Sequence, residues 1–219
     1  MLELMLPKDP ARPLSILCLG AHSDDIEIGC GGTILHFLDR YDELSICWIV
    51  FSAKGPRAEE ARTSARRFLG RSMSRHTVHI EAFRDGFFPA EWEGIKEYMF
   101  DIRQDVEPDL IFTHYRNDRH QDHRTISDLT WNTFRNHFIL EYEIPKFDGD
   151  LGVPNTFVHV SDAVYERKLA YLRESFPTQT EKPWFSEETF RGLSRIRGVE
   201  SRAPARYAEA FHCRKWVLR

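Results

Sequence analysis

Three continuous apolar runs divide the first half of the chain: LSILCLGA over 14–21, LSICWIVF over 44–51 and LIFT over 110–113. Runs of this length without polar alternation predict strands buried on both faces. Shorter strand-like stretches follow at Thr77–Ile80, Thr156–Val160 and Tyr207–His212. Between them the apolar period lengthens to that of a helix. Ile34, Leu35, Phe37 and Leu38 fall at helical spacing within Gly29–Arg40. Helices are also predicted over Arg57–Leu69, stopped by Gly70, over Trp92–Val106, ended before Pro108, and over Asp122–Phe138. Ser161 caps a further helix to about Ser175, with Glu166, Lys168 and Arg173 on its polar face, and Ser186–Ile196 forms another. Strand and helix alternate for at least 140 residues, which predicts βαβ units. The expected fold is a single-domain, three-layer Rossmann-like α/β fold with a mostly parallel sheet over residues 1–219, in which 1–13 are an N-terminal extension. The stretch EIPKFDGDLGVP, 143–154, reads as a long loop of the kind that is often functional.

Composition narrows the function classes. A chain of 219 residues, 42% hydrophobic and 29% charged, builds one adequate core. Its formal net charge of −4 argues against binding nucleic acid by phosphate neutralisation. No run approaches the roughly 20 apolar residues of a membrane span, and the N-terminal residues lack the pattern of a signal peptide. Cys18, Cys30, Cys47 and Cys213 form no CxxC pair and read as reduced thiols. A cytoplasmic protein that acts on a small molecule, without a nucleic-acid or membrane partner, is the expectation; a homo-oligomer is compatible with the sequence.

In an open parallel sheet, ligands bind beyond the carboxyl ends of the strands. Two polar clusters fall there. LGAHSDDIEIGCGGT, 19–33, follows the first strand, and HYRNDRHQDH, 114–123, follows the fourth. The first is not a phosphate loop: Asp24, Asp25 and Glu27 would repel the anion, and the GxGxxG spacing is absent. Acids with a histidine suit a cation instead. His22 and Asp25 offer a nitrogen and an oxygen donor three residues apart, and His123 supplies a third ligand, the usual count for a catalytic zinc with one open position. Asp24 remains as a general base for the attacking water, and His120 as an imidazolium that stabilises an oxyanion. Asp122 is placed to hydrogen-bond His120 and keep it protonated. Alone, each cluster is an ordinary capped polar turn; at two strand ends of one sheet, they point to a metal. His114 closes the fourth strand and reads as a core histidine, with a supporting role behind the metal ligands as the alternative. Zinc is the expected ion, although two imidazoles and a carboxylate also suit Fe2+ or Mn2+.

AHSDDIEIGCGGT resembles the AHPDDxExGxGGT signature of the PIG-L/LmbE-like family of zinc-dependent N-acetylglucosamine deacetylases, and DRHQDHR, 118–124, resembles its second signature, HxDHR. GPRAEEARTSARRFLG, FRDGFFP and YAEAFH are similar to its intervening helix, its Asp-Gly segment and its terminal strand, so the likeness runs from about residue 15 to 212. It implies an LmbE-like fold, His22, Asp25 and His123 as metal ligands, Asp24 as base and His120 with Asp122 as transition-state stabiliser. It also implies sugar contacts for Arg57 and Asp85. Ser23 stands where the family has proline. The activity implied is removal of an N-acetyl group from an amino sugar or sugar conjugate. Two rivals share the motifs in part: an amidase on the same scaffold cleaving a larger conjugate, and a nucleotide-binding Rossmann module without metal chemistry. Glu143 and Lys146, in the 143–154 loop, are candidates to shape the substrate pocket.

Overall fold

A computed structural model describes residues 1, 3–6 and 12–217. The N-terminal extension expected over 1–13 falls in part outside these residues. Seven strands, β1 (Leu14–His22), β2 (Leu44–Ser52), β3 (Thr77–Ile80), β4 (Leu110–His114), β5 (Phe138–Tyr142), β6 (Thr156–Val160) and β7 (Tyr207–Cys213), form one sheet of order β3-β2-β1-β4-β5-β7-β6. The pairs β3–β2, β2–β1, β1–β4 and β4–β5 are parallel, whereas β7 runs antiparallel to both of its neighbours. Among the described residues the α-helices are α1 (Asp25–Arg40), α2 (Pro56–Leu69), α3 (Trp92–Asp105), α4 (Gln121–Thr133), α5 (Asp162–Ser175) and α6 (Glu187–Glu200).

Alternate residues of β1 serve two cores, as a sheet covered on both faces requires. Ile16 and Cys18 join the cluster built with Ile26, Ile34, Phe68, Leu169 and Leu172, under α1, α2 and α5. Leu17, Leu19 and Ala21 join the cluster built with Ile95, Met99, Ile126 and Leu129, under α3 and α4. The expected three-layer α/β architecture is therefore present. Strand order reverses between β1 and β4, the strands that carry the two polar clusters. That reversal opens the crevice in which doubly wound sheets bind ligands.

Two expectations are corrected. The helix expected over 122–138 stops at Thr133, a turn follows, and Phe138–Tyr142 is a strand paired parallel with β4. The turn contains neither Gly nor Pro, so nothing in the sequence punctuates it. Lys168, expected on the polar face of α5, is 2% exposed. Its ammonium donates to Glu209 at 2.5 Å and to the Ile28 carbonyl at 2.7 Å, tying α5 to β7 and α1. Among the described residues no helix is long and apolar enough to cross a membrane.

Candidate metal centre

His22 ends β1, Asp24 occupies the N-cap position of α1 and Asp25 opens the helix. The His22 backbone N–H donates to Asp25 Oδ2 at 2.6 Å, which closes the turn. The acids also face the positive end of the helix dipole. The glycines that follow admit neighbours to the helix backbone. A Cβ on Gly29 would lie 2.2 Å from the Tyr142 ring, and one on Gly32 would lie 2.9 Å from Glu209 Oε1. The close approach at Gly29 lets the Tyr142 hydroxyl reach under the site, where it donates to the Leu19 carbonyl at 2.6 Å and lies 3.2 Å from His114 Nε2.

The second cluster is built around α4. His120 is its N-cap, with Nδ1 accepting the Asp122 backbone N–H at 3.3 Å. Asp118, 2% exposed, accepts the His120 backbone N–H on Oδ1 at 2.8 Å and pairs with His123 Nδ1 through Oδ2 at 2.9 Å. The Asp122 carboxylate accepts the backbone N–H groups of Gly86 and Phe88, at 2.6 and 3.1 Å, and lies 3.2 Å from His22 Nε2. It thus turns away from the His120 ring, with which the sequence reading had paired it, because the helix start aims it at the Gly86 turn.

The three expected ligands converge. His22 Nδ1 lies 3.2 Å from His123 Nε2 and 3.4 Å from Asp25 Oδ2, and His123 Nε2 lies 3.6 Å from Asp25 Oδ1. Ligands about 2.05 Å from a tetrahedral ion stand roughly 3.3 Å apart, so these separations, with the two Asp25 distances running to different oxygens of one carboxylate, are close to those a tetrahedral ion would need. The far nitrogens of both rings face carboxylates, Asp118 behind His123 and Asp122 with Asp85 behind His22. Rings that donate outward to these acids turn lone pairs on each other, an arrangement that calls for positive charge between them. Carboxylates behind ligating histidines are the usual outer support of a metal site. Burial and the neighbouring His114 lower the His123 pKa to about 4, which leaves a neutral, ligand-ready imidazole. Burial would lower His22 as well, but Asp122, Asp25 and Asp85 outweigh it and hold its pKa well above the ordinary value. This favours a proton on His22 when no cation is bound. Three overlapping groups also have metal-ligand spacing: His22 with His120 and His123, Asp25 with His114 and His123, and His22 with Asp85 and Asp122.

Asp24 stands beside the triangle. Its Oδ1 accepts from Arg57 at 2.6 Å, while Oδ2 is buried without a hydrogen-bond partner. Burial raises its pKa and Arg57 restrains the rise, so one oxygen is fixed and the other is a free, strengthened base. Arg57 also pairs with Glu60 at 3.0 Å. Asp85, whose side chain is 75% exposed, reaches His22 Nε2 at 3.1 Å. His120 is half-buried, with its ring centroid 4.9 Å from that of His22 and 4.6 Å from that of His123. Burial and the charge of His22 lower its pKa. This favours the neutral ring, in which Nδ1 accepts a backbone hydrogen bond and Nε2 is the nitrogen left to carry the proton.

Sequence reasoning missed Asp118 and ranked a site role for His114 second. Asp118 is close to its partner in the sequence, and its acid-before-histidine spacing was the available signal. His114, read as core, is fully buried but accepts the Ala21 N–H at 2.9 Å, lies 3.3 Å from Asp25 Oδ2 and stacks on His123 at 3.9 Å.

The family model described as GlcNAc-PI de-N-acetylase, PIG-L, matches residues 17–134. The chain is 29% identical over 170 residues to the uncharacterized deacetylase YaiS of Escherichia coli K12, across 73% of this chain and 89% of that protein. Its fold is similar to that of N,N'-diacetylchitobiose deacetylase from Pyrococcus horikoshii, with a TM-score of 0.70 and 22% identity over 92% of this chain and 84% of the other. It is also similar to that of GalB, the 4-carboxy-2-hydroxymuconate hydratase of Pseudomonas putida KT2440, with a TM-score of 0.75 and 17% identity over 94% and 98%.

Proposed function

The chain belongs to the PIG-L family, and from that premise we propose that it is a zinc-dependent hydrolase that removes the N-acetyl group of an amino sugar or sugar conjugate. The sheet alone does not select this chemistry, since a hydratase has a similar fold. The observation that carries the reading is the triangle of His22 Nδ1, His123 Nε2 and the Asp25 carboxylate, 3.2 to 3.6 Å on a side, with carboxylates behind both rings. His22, Asp25 and His123 would hold the ion; when bound, it would polarise the amide carbonyl and acidify a water molecule.

The remaining steps belong to the chain. Asp24 Oδ2 takes a proton from the attacking water, and the water oxygen bonds to the carbonyl carbon. Arg57 holds Oδ1, so the carboxylate is aimed before the substrate arrives. The neutral His120 donates its Nε2–H to the developing oxyanion; the lowered pKa favours this form over the imidazolium expected from sequence. As the C–N bond breaks, Asp24 passes its proton to the leaving nitrogen, giving acetic acid and the amine, between which the remaining acidic proton moves to leave acetate and the ammonium form of the sugar. Arg57 and Asp85 border this centre, where they would meet the sugar.

The test is acetate release from a panel of N-acetylated sugars, sugar nucleotides and glycoconjugates by zinc-reloaded protein. The reading expects acetate from at least one N-acetylamino sugar and none from protein stripped with a chelator. Release of a larger acid in place of acetate would favour the amidase rival. No hydrolysis of any amide by zinc-loaded protein would overturn the assignment.

A further inference from the structure

The loop that joins β5 to β6 lies beyond the residues matched by the family model, yet it is fastened to the metal centre. Lys146, with its side chain 8% exposed, places Nζ 2.9 Å from Asp118 Oδ2, the same oxygen that pairs with His123 Nδ1, and 2.5 Å from Asp150 Oδ2. Asp150 also accepts the backbone N–H of Arg119 at 2.6 Å. At the far end of the loop, the Gly152 carbonyl accepts from Arg197 at 3.1 Å, and Arg197 is itself clamped by Glu143. A Cβ at Gly152 would lie 2.8 Å from His212 Cε1 and 2.9 Å from Tyr115 Oη, so the loop lies directly on the segment that follows β4.

We propose that Lys146 is a positioning residue that couples the 143–154 loop to the cation site through the shared Asp118 carboxylate. This inference rests on the metal reading above. The charges explain why a cation is needed at this point. Asp118 and Asp150 each present an oxygen to a small, nearly solvent-free space, and the ammonium joins them. Without it the two acids repel, the loop leaves Asp118, and Asp118 is no longer fixed from behind as it orients the His123 ring. Losing an outer partner of a ligating histidine typically weakens metal binding 10- to 100-fold. Binding free energies are reciprocal: if opening the loop weakens cation binding by some factor, cation binding suppresses opening of the loop by the same factor.

The experiment uses the full chain, stripped and then titrated with zinc against a chromogenic chelator. Amide hydrogen exchange of peptides covering 143–154 is followed with and without the ion. In the wild type, zinc should slow loop exchange 10- to 100-fold. K146M, folded by circular dichroism, should bind zinc 10- to 100-fold more weakly, and zinc should no longer protect its loop. An unchanged zinc Kd in K146M, or loop exchange indifferent to zinc in the wild type, overturns the coupling while leaving the hydrolase reading intact. If K146M does not fold, D150N takes its place: it keeps the ammonium on Asp118 but removes the acid on the loop side, and zinc-dependent protection should fall. Full protection in D150N overturns the inference. A wild type that binds no zinc overturns the metal reading and this inference together.

Discussion

Replacing Glu27 with glutamine should reverse part of the protein's dependence on pH. Glu27 lies in the first turn of α1, fully buried, and neither of its oxygens has a hydrogen-bond partner. Burial raises its pKa from 4.5 to about 8. The native state therefore keeps this proton up to about pH 8, whereas the unfolded chain loses it near 4.5. Between those values the native state binds more protons, so this side chain makes stability fall as pH rises. Integrating the two titrations between pH 5 and pH 7 gives a loss of about 2.5 kcal/mol. Glutamine has the shape of the protonated acid but does not titrate. Whatever fixed cost it carries, E27Q should gain on the wild type by about 2.5 kcal/mol over those two pH units, a relative rise in Tm of roughly 5 to 10 °C for a chain of this size. Urea unfolding of both proteins at pH 5, 6 and 7, in chelator so that metal binding does not intrude, measures the difference. If the two stability curves run parallel from pH 5 to pH 7, Glu27 is ionised in the native state and the reasoning from burial is wrong.

The other predictions concern the centre itself. D24N should retain stoichiometric zinc, measured by elemental analysis, while the rate of acetate release falls by about 10²- to 10⁴-fold, the usual contribution of a general base; loss of zinc together with activity would make Asp24 a ligand. Zinc affinity should rise with pH, because the ion displaces a proton that Asp122, Asp25 and Asp85 hold on His22. The chelator-competition Kd should therefore tighten by roughly tenfold per pH unit below the His22 pKa, and a pH-independent Kd between pH 6 and 8 would contradict this.

Sequence and structure agree where burial leaves a one-dimensional trace. β1, β2 and β4 are interior strands of the sheet, so their residues are apolar whichever face they point to, and the runs stand out. β5 has the same environment, but it follows α4 after a turn of only a few polar residues. Ile126, Leu129 and Phe134 keep a helical rhythm up to the turn, and Phe138 extends it by accident. The pair of motifs was legible because both fall at strand ends of one parallel sheet; alone, each reads as an ordinary polar turn. The groups that aim them were harder to see. That Arg57 secures one oxygen of Asp24, or that Lys146 bridges Asp118 and Asp150, depends on contacts between segments far apart in the chain. In sequence, Arg57 reads equally well as a solvated charge, and Lys146 reads more readily as one. The pairing expected between Asp122 and His120 failed for a local reason. Ring and carboxylate are two residues apart at a helix start, where they diverge, and the Gly86 turn captures the acid.

The central claim is the identity of the three ligands, and zinc K-edge X-ray absorption on protein reloaded with one equivalent of zinc tests it directly. The account predicts two imidazole nitrogens at about 2.0–2.1 Å and oxygen donors at about 2.0–2.2 Å, with one imidazole lost in H22A and one in H123A. A spectrum with a single imidazole, unchanged in H123A, would put the ion between His22, Asp85 and Asp122 and contradict the account.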